Sequence, residues 1–254
     1  MRLHCFGTTG YHPSPSRHTA CYYLPDASIV LDAGTGIFRL IESLRSEPKT
    51  SLDILLSHAH LDHVVGLTFL IDAVAVTPLE HIRLHGEREK LEAVRHHLYD
   101  PLLFPVPPSF EFLPIDSNRG WREIGSTKVE WFPLDHPGGS LGYLLEFPGD
   151  VPRRLAYVTD TFSRSDHDYQ SKIAGVDLLM HECYFSDDMV DLAKKTGHSY
   201  LAAVTEIIRA ANAKQNLLIH INPLAEILDQ PITLGAEQAG LNVSLAKDLD
   251  VIEF

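Results

Sequence analysis

The sequence is poor in cysteine and in long apolar runs, and each shortage excludes a class of protein. Its 254 residues include three cysteines, Cys5, Cys21 and Cys183, and no CxxC spacing. Such a set is typical of reduced thiols and excludes a disulfide framework. No apolar run approaches the roughly 18 to 20 residues that would span a bilayer. The opening residues, MRLHCFGTTG, lack a signal pattern, so we expect a cytoplasmic protein with no membrane partner.

Basic residues are also scarce. The chain has 21 Lys and Arg against 34 Asp and Glu, which gives a net charge of −13 with histidines neutral. The basic residues are scattered, as at Lys194 and Lys195, and form no strip that could follow a polyanion. Because such a surface repels long nucleic acids, this balance favours small substrates.

Apolar residues are plentiful by contrast. They make up 44% of the chain, which is ample for a sizeable core. No linker and no internal repeat marks a boundary, so we expect a single domain over residues 1–254.

The most informative stretch is LDILLSHAHLDHVVGL, residues 52–67. Its apolar start predicts a buried strand, which ends just before His58, His60, Asp62 and His63. Imidazole and carboxylate groups suit zinc, manganese or iron. In an extended segment residues i and i+2 point the same way, so His58 and His60 can bind one ion. Asp62 and His63 turn into the next element, which suits a second ion nearby.

The same arrangement recurs along the chain. Predicted apolar strands run out at His136, at Asp160, at His181 and Glu182, and at His220. Side chains at corresponding strand ends in a layered α/β fold converge on one edge, where sites form. The sequence therefore predicts one site built from several strand ends.

Other segments leave alternatives open. Asp32, in LDAGTG, either orients a ligand histidine or caps the next helix. Arg17 and His18 end a Gly/Pro/Ser loop that is either a connector or a substrate contact. Residues 99–114 are rich in proline and aromatic residues. They form either a lid, together with residues 10–18, or a surface loop. Ser199 is positioned to cap the helix predicted to follow it.

These residues resemble a known family. HAHLDH, followed in order by His136, Asp160 and His220, is similar to the HxHxDH, His, Asp, His pattern of the metallo-β-lactamase superfamily. The resemblance spans nearly the whole chain and implies an α/β fold, the four-layer αβ/βα sandwich. It also implies a binuclear centre bridged by Asp160, with His58, His60 and His136 on one ion and Asp62, His63 and His220 on the other.

Within that superfamily the chain most resembles ribonuclease Z and its small phosphodiesterase relatives. HPGGSLGY (136–143), HECYF (181–185) and GHS (197–199) carry this likeness. It implies that Glu182 and His198 form an acid pair, in which the carboxylate fixes the imidazole tautomer and raises its basicity. Two departures argue against tRNA processing. Only 23 residues separate His136 from Asp160, too few for the long arm that grips tRNA, and Tyr184 replaces a smaller residue of the HEATF motif.

The resulting hypothesis is a phosphodiesterase for small substrates, with cyclic nucleotides among them. Two divalent ions, zinc first and manganese or iron as alternatives, would activate water; Asp62 would orient that nucleophile, and His198 would protonate the leaving oxygen. The alternatives are a ribonuclease Z-like tRNA 3′-processing enzyme and a lactam or thioester hydrolase. A redox di-iron protein would replace His60 by a carboxylate, and a non-catalytic scaffold would have lost ligands. Dimers are common among relatives of this type, so a homodimer is among the expected states.

Overall fold

The computed structural model describes residues 1–164 and 168–254. The chain forms two compact units. The first unit contains residues 1–117 and 247–253, and the second unit contains residues 118–246 and 254. The expectation of one domain over residues 1–254 stays a prediction. Within the described ranges, no helix is long and apolar enough to cross a membrane.

The strands are, in chain order, β1 (Arg2–Gly7), β2 (Cys21–Leu24), β3 (Ile29–Leu31), β4 (Ser51–Leu55), β5 (His81–Glu87), β6 (Glu111–Ile115), β7 (Gly120–Ile124), β8 (Thr127–Leu134), β9 (Ser140–Phe147), β10 (Arg153–Val158), β11 (Leu178–Glu182), β12 (Gln215–Ile219), β13 (Val243–Leu245) and β14 (Val251–Glu253). The α-helices are α1 (Leu40–Ser46), α2 (Leu61–Val64), α3 (Leu70–Val76), α4 (Arg88–Ala93), α5 (Val190–Thr196), α6 (Leu201–Ala211) and α7 (Pro223–Ile227). Short 3-10 helices cover Thr35–Arg39, Val65–Phe69, Asp168–Ser171, Asp187–Met189 and Ala236–Gln238, and a π-helical turn covers Val94–Leu98.

The first unit is built on a seven-stranded mixed sheet in the order β14-β1-β2-β3-β4-β5-β6. Pairing is antiparallel from β14 to β3 and parallel from β3 to β6. Leu31 at the end of β3 lies opposite Leu55 at the end of β4. The segments that follow these two strands therefore leave the sheet side by side, and they carry Asp32 and the HAHLDH stretch.

Helices cover one face of this sheet because its strands alternate. Leu52 and Ile54 of β4 point into a core with Leu40 of α1, Leu70 of α3 and Leu91 of α4. Asp53 lies between those two strand residues, so its side chain belongs to the opposite face.

The second unit has its own seven-stranded mixed sheet, in the order β13-β12-β11-β10-β9-β8-β7. Its core packs α6 on the sheet through Val204, Ile207 and Ile208, which recur at helical spacing and meet Val158 of β10 and Leu218 of β12.

The parallel strands of the second unit end at one edge. In β10 and β11 Val158 lies opposite His181, and in β11 and β12 Glu182 lies opposite Ile219. Asp160 and His220 follow these strands almost at once. Strand β8 runs in the same direction as β10 because each is antiparallel to β9, so its end delivers His136 to the same edge. The convergence of strand ends predicted from the sequence is therefore present within this unit.

Candidate functional site

The HAHLDH stretch of the first unit begins three residues after β4. His58 is buried, His60 is exposed, and His63 is buried on α2. The ring centroids of His58 and His60 are 4.4 Å apart, and those of His58 and His63 are 4.3 Å apart. A ligand atom of His58 lies within 4.8 Å of one of His60, and the same holds for Asp62 and His63. The four side chains therefore form one compact group.

Asp32 orients two histidines of this group through hydrogen bonds. It is fully buried with a positive φ of 55°, and its Oδ1 accepts the main-chain N–H of Ser57 at 2.7 Å. Its Oδ2 accepts both the Ser57 hydroxyl at 2.7 Å and the His63 Nδ1–H at 2.8 Å. The Ser57 hydroxyl has a single proton, so its oxygen accepts from His58 Nδ1 at 3.0 Å. In both imidazoles Nε2 is thus the nitrogen that could bind a metal.

This geometry decides between the two interpretations of Asp32. The following 3-10 helix has Gly34 at its N-cap and no side-chain cap hydrogen bond. Asp32 therefore orients two histidines and does not cap a helix. Left-handed backbone is uncommon for a residue other than glycine, and its occurrence here concentrates strain at the candidate site.

Asp62 is held by the main chain. Its Oδ2 accepts the N–H of Tyr11 at 2.7 Å and lies 3.3 Å from His63 Nε2. The Asp62 side chain is 11% exposed, so only a small part of it reaches solvent. Asp62 and His63 are therefore placed to bind one ion together.

In the second unit Asp160 is the central carboxylate. It is buried, with His220 Nε2 3.3 Å from its Oδ1 and His136 Nε2 3.7 Å from its Oδ2. A carboxylate that turns one oxygen toward each of two imidazoles suits a bridge between two ions. His136 donates Nδ1–H to the carbonyl of Gly197 at 2.9 Å, so its Nε2 is the nitrogen that could bind a metal. Burial lowers the pKa of His136, which keeps the ring neutral and able to bind a metal.

The two residues of the predicted acid pair lie within hydrogen-bond distance of each other beside it. Glu182 is fully buried, and its Oε2 accepts the His198 Nδ1–H at 3.0 Å while its Oε1 accepts the main-chain N–H of Thr161. Burial by itself would lower the pKa of His198, but the Glu182 charge and hydrogen bond outweigh it, and the pKa of His198 is raised. The ring therefore holds a proton more readily than an ordinary histidine.

His198 could also be considered as a ligand, since ligand atoms of Asp160, His198 and His220 lie within 4.8 Å of one another. His198 Nδ1 is 3.9 Å from Asp160 Oδ2. That nitrogen carries the proton shared with Glu182, so it is not a ligand while this hydrogen bond holds.

The profile of the β-lactamase superfamily domain matches residues 27–221, most of the chain. The chain is a member of the metallo-β-lactamase superfamily. Ribonuclease Z from Bacteroides fragilis is 34% identical over an alignment of 302 positions, which covers 98% of this chain and 97% of that protein. The predicted place in the ribonuclease Z and small phosphodiesterase branch is thus confirmed.

Solved structures agree on the fold. The short form of human tRNase Z superposes with a TM-score of 0.74 at 21% identity, covering 100% of this chain and 99% of that one. A diphosphatase of the PhnP family gives a TM-score of 0.70 at 20% identity, covering 100% and 98%. The predicted α/β class and metallo-β-lactamase fold are confirmed, and with them membership of a superfamily of metal-dependent hydrolases.

One residue of this superfamily member gains a role that the sequence did not reveal. The Tyr184 ring stacks on His198, with centroids 4.6 Å apart and planes inclined by 18°, and lies 5.5 Å from the His220 ring. Phe185 meets Tyr184 edge-on at 4.8 Å. The bulk that distinguishes HECYF from HEATF therefore forms an aromatic wall against the acid pair. The unusual Tyr184 in the motif was the available signal.

Ser199 does not cap α6, so that prediction is wrong. The N-cap of α6 is Tyr200, without a side-chain hydrogen bond. The Ser199 hydroxyl donates to the Thr161 carbonyl at 2.6 Å, and its oxygen accepts the Ser163 N–H at 3.1 Å. Thr161 also donates its main-chain N–H to Glu182. Ser199 therefore connects the loop that carries His198 to the segment that bonds Glu182.

His181 is a structural residue in this superfamily member. It neighbours Glu182 on β11, so the two side chains point to opposite faces. His181 is fully buried and its Nε2 lies 3.1 Å from the Tyr169 hydroxyl.

The other predicted contacts lie in the first unit. Arg17 donates to the Thr8 hydroxyl at 2.6 Å, and His18 Nδ1 lies 3.2 Å from the Thr35 hydroxyl, so this loop is fastened to its own unit. In residues 99–114, Tyr99 and Phe110 pack on the core while Leu102 is 95% exposed. A lid role for either segment stays a prediction, as do the ligand roles of the seven metal-site residues.

Proposed function

We propose that this protein is a binuclear metal-dependent phosphodiesterase that acts on small phosphodiesters. The observation that carries this proposal is the buried Glu182–His198 pair beside Asp160. A general acid is needed where the leaving group is a poorly stabilised alkoxide, as in an ordinary phosphodiester. Lactam and thioester hydrolysis do not need such a pair.

The donor set fits divalent metal. We propose two groups of ligands bridged by Asp160, namely His58, His60 and His136 for one ion and Asp62, His63 and His220 for the other. Supporting this, the hydrogen bonds described above leave Nε2 as the ligand atom of His58, His63 and His136. Histidine and carboxylate ligands suit zinc first, and also manganese or iron. When bound, the ions would acidify a water molecule and neutralise charge on the phosphodiester.

The protein's own groups would do the rest. Asp62 would orient the nucleophile. His198 would donate the proton on Nε2 to the departing oxygen, and Glu182 would hold the ring in the tautomer that this transfer requires. Burial of Glu182 favours its role in holding the ring. If the His198 ring turned, the buried carboxylate would lose its hydrogen bond without water to replace it, which is costly.

Ribonuclease Z activity is the second candidate, favoured by the name of the Bacteroides fragilis relative. That alignment is longer than this chain, so the relative has segments with no counterpart here. Few residues separate His136 from Asp160, and the net charge is −13. These features favour a small diester over a precursor tRNA.

The test compares four substrates on the zinc-loaded protein: bis(p-nitrophenyl) phosphate, a precursor tRNA, a β-lactam and a glutathione thioester. We expect the phosphodiester to be hydrolysed and the other three to be turned over poorly. Efficient tRNA cleavage would establish the second candidate instead. Preference for the lactam or the thioester would overturn the phosphodiesterase proposal.

A further inference from the structure

Tyr11 has a backbone conformation that a tyrosine rarely adopts. Its φ is 62°, in the left-handed region, and 74% of the residue is exposed. A bulky side chain at positive φ is an outlier that persists only where its surroundings hold it. Packing of the ring does not account for the conformation, because most of the ring faces solvent.

The main chain accounts for it instead. The Tyr11 N–H donates to Asp62 Oδ2 at 2.7 Å, and the loop around it is closed by the Thr9 N–H to the His18 carbonyl at 3.0 Å. Tyr11 is thereby fixed next to a carboxylate proposed to bind metal and to orient the nucleophile. Its ring projects from that fixed point and meets the His12 ring edge-on, with centroids 5.1 Å apart and planes inclined by 61°.

The surface around Asp62 combines charge with exposed apolar groups. Leu61, its chain neighbour, is 71% exposed, and Tyr11 supplies a flat aromatic face. Exposed apolar side chains at a charged site fit a ligand that has a charged part and a flat, weakly polar part. A nucleotide has both, whereas a glycerol-type diester has no flat group to stack.

We propose that Tyr11 is a specificity-determining residue whose ring favours diesters that carry a base next to the cleaved bond. This role of Tyr11 rests on the proposed phosphodiesterase function and narrows the set of preferred substrates. The aromatic ring would stack on the base adjoining the phosphodiester, a contact that tolerates every base because each has a π face.

The test compares a dinucleotide with the same diester lacking the base next to the cleaved bond. The readout is the ratio of kcat/KM for the two substrates, measured for the wild type and for Tyr11→Ala, Tyr11→Phe and Tyr11→Gly. We expect the alanine variant to lower this ratio roughly tenfold, the size of one lost stacking contact. Phenylalanine should retain the ratio. Glycine, which relieves the backbone strain but removes the ring, should lose it as alanine does.

A binding measurement on the metal-loaded protein separates the two proposals. Adenosine monophosphate should bind roughly tenfold more weakly to Tyr11→Ala than to the wild type, while the change for ribose 5-phosphate should be small. If no diester is cleaved but this difference is found, the phosphodiesterase proposal fails and the stacking role stands. Equal losses for both ligands, or a phenylalanine variant as impaired as alanine, would overturn the stacking role.

Discussion

The two units supply their candidate ligands in contrasting ways. The first unit presents His58, His60, Asp62 and His63 within six consecutive residues after β4. The second unit gathers its candidates from the ends of β8, β10 and β12, spread from His136 to His220. The first set is a local feature of the chain. The second exists only because parallel strands bring distant residues to one edge.

The units also orient their histidines differently. In the first, one carboxylate, Asp32, reaches His63 directly and His58 through Ser57. In the second, a main-chain carbonyl of Gly197 orients His136. The buried carboxylate of the second unit, Glu182, is engaged with His198 instead. Under the proposed function, the first unit would mainly hold metal, whereas the second would hold metal and supply the acid.

Removing one ligand from each unit tests whether both serve one centre. We expect His63→Ala and His220→Ala each to lose bound metal, counted by elemental analysis of the purified protein. Activity should fall about a thousandfold, which corresponds to about 4 kcal/mol of lost charge stabilisation. The matched control is His96→Ala, at an exposed histidine that bonds Glu92 on the same helical segment. Wild-type metal content in His220→Ala would exclude the second unit from the centre.

The acid function assigned to the second unit is tested by leaving-group dependence. We expect His198→Ala to lower turnover of alkyl phosphodiesters about a hundredfold or more, because their leaving oxygen needs a proton. Nitrophenyl esters need none and should be affected far less. Glu182→Gln should show the same pattern more weakly, since it retains the side-chain volume but loses the charge. Equal losses on both ester types would rule out proton donation by His198.

Tyr184 tests a feature of the second unit, because its ring packs against the imidazoles of His198 and His220. We expect Tyr184→Ala to lower turnover of alkyl esters by up to about tenfold, the scale of one aromatic pair. Tyr184→Phe should be close to wild type, and the metal content of both variants should be unchanged. Loss of metal in Tyr184→Ala would mean that the ring supports His220 and not His198.

The smallest expected effect is on the stability of the fold, and it concerns one buried aspartate in each unit. Asp53 bonds Arg83 and His85, and Asp177 bonds Lys214 and the main chain. Burial would raise the pKa of both carboxyls, but these partners outweigh it, and both pKa values are lowered.

A lowered carboxyl pKa contributes stability that is present above the unfolded value, about 3.9, and is lost as pH falls through the folded value. Urea unfolding from pH 7 to pH 3 should show this loss in the wild type and less of it in Asp53→Asn. At pH 7 we expect Asp53→Asn to cost about 1 kcal/mol. Asp177→Asn should cost less, because the Lys214 side chain is 68% exposed and its ion pair is screened. The opposite order would contradict this account.

Much of the candidate site could be predicted from the sequence, before the contacts of its residues were known. His58 and His60 follow from spacing, and Asp160 and His220 follow from strands that run out at a ligand residue. Ser199 shows where this reasoning fails. A serine at the start of a helix predicts a cap, but its hydroxyl bonds the carbonyl of Thr161, thirty-eight residues away in the chain. A local rule cannot detect a partner that a distant segment, here the loop after β10, supplies.

The sequence by itself determined the fold class, the superfamily and the identity of the candidate ligands, because these depend on residue type and on spacing along strands. Tertiary structure decided which nitrogen His58, His63 and His136 present, since that depends on Asp32, Ser57 and the Gly197 carbonyl coming within hydrogen-bond distance. It also decided that Tyr184 stacks on His198. Contacts of this kind join residues whose separation along the chain carries no periodic signal, so only the packed molecule reveals them.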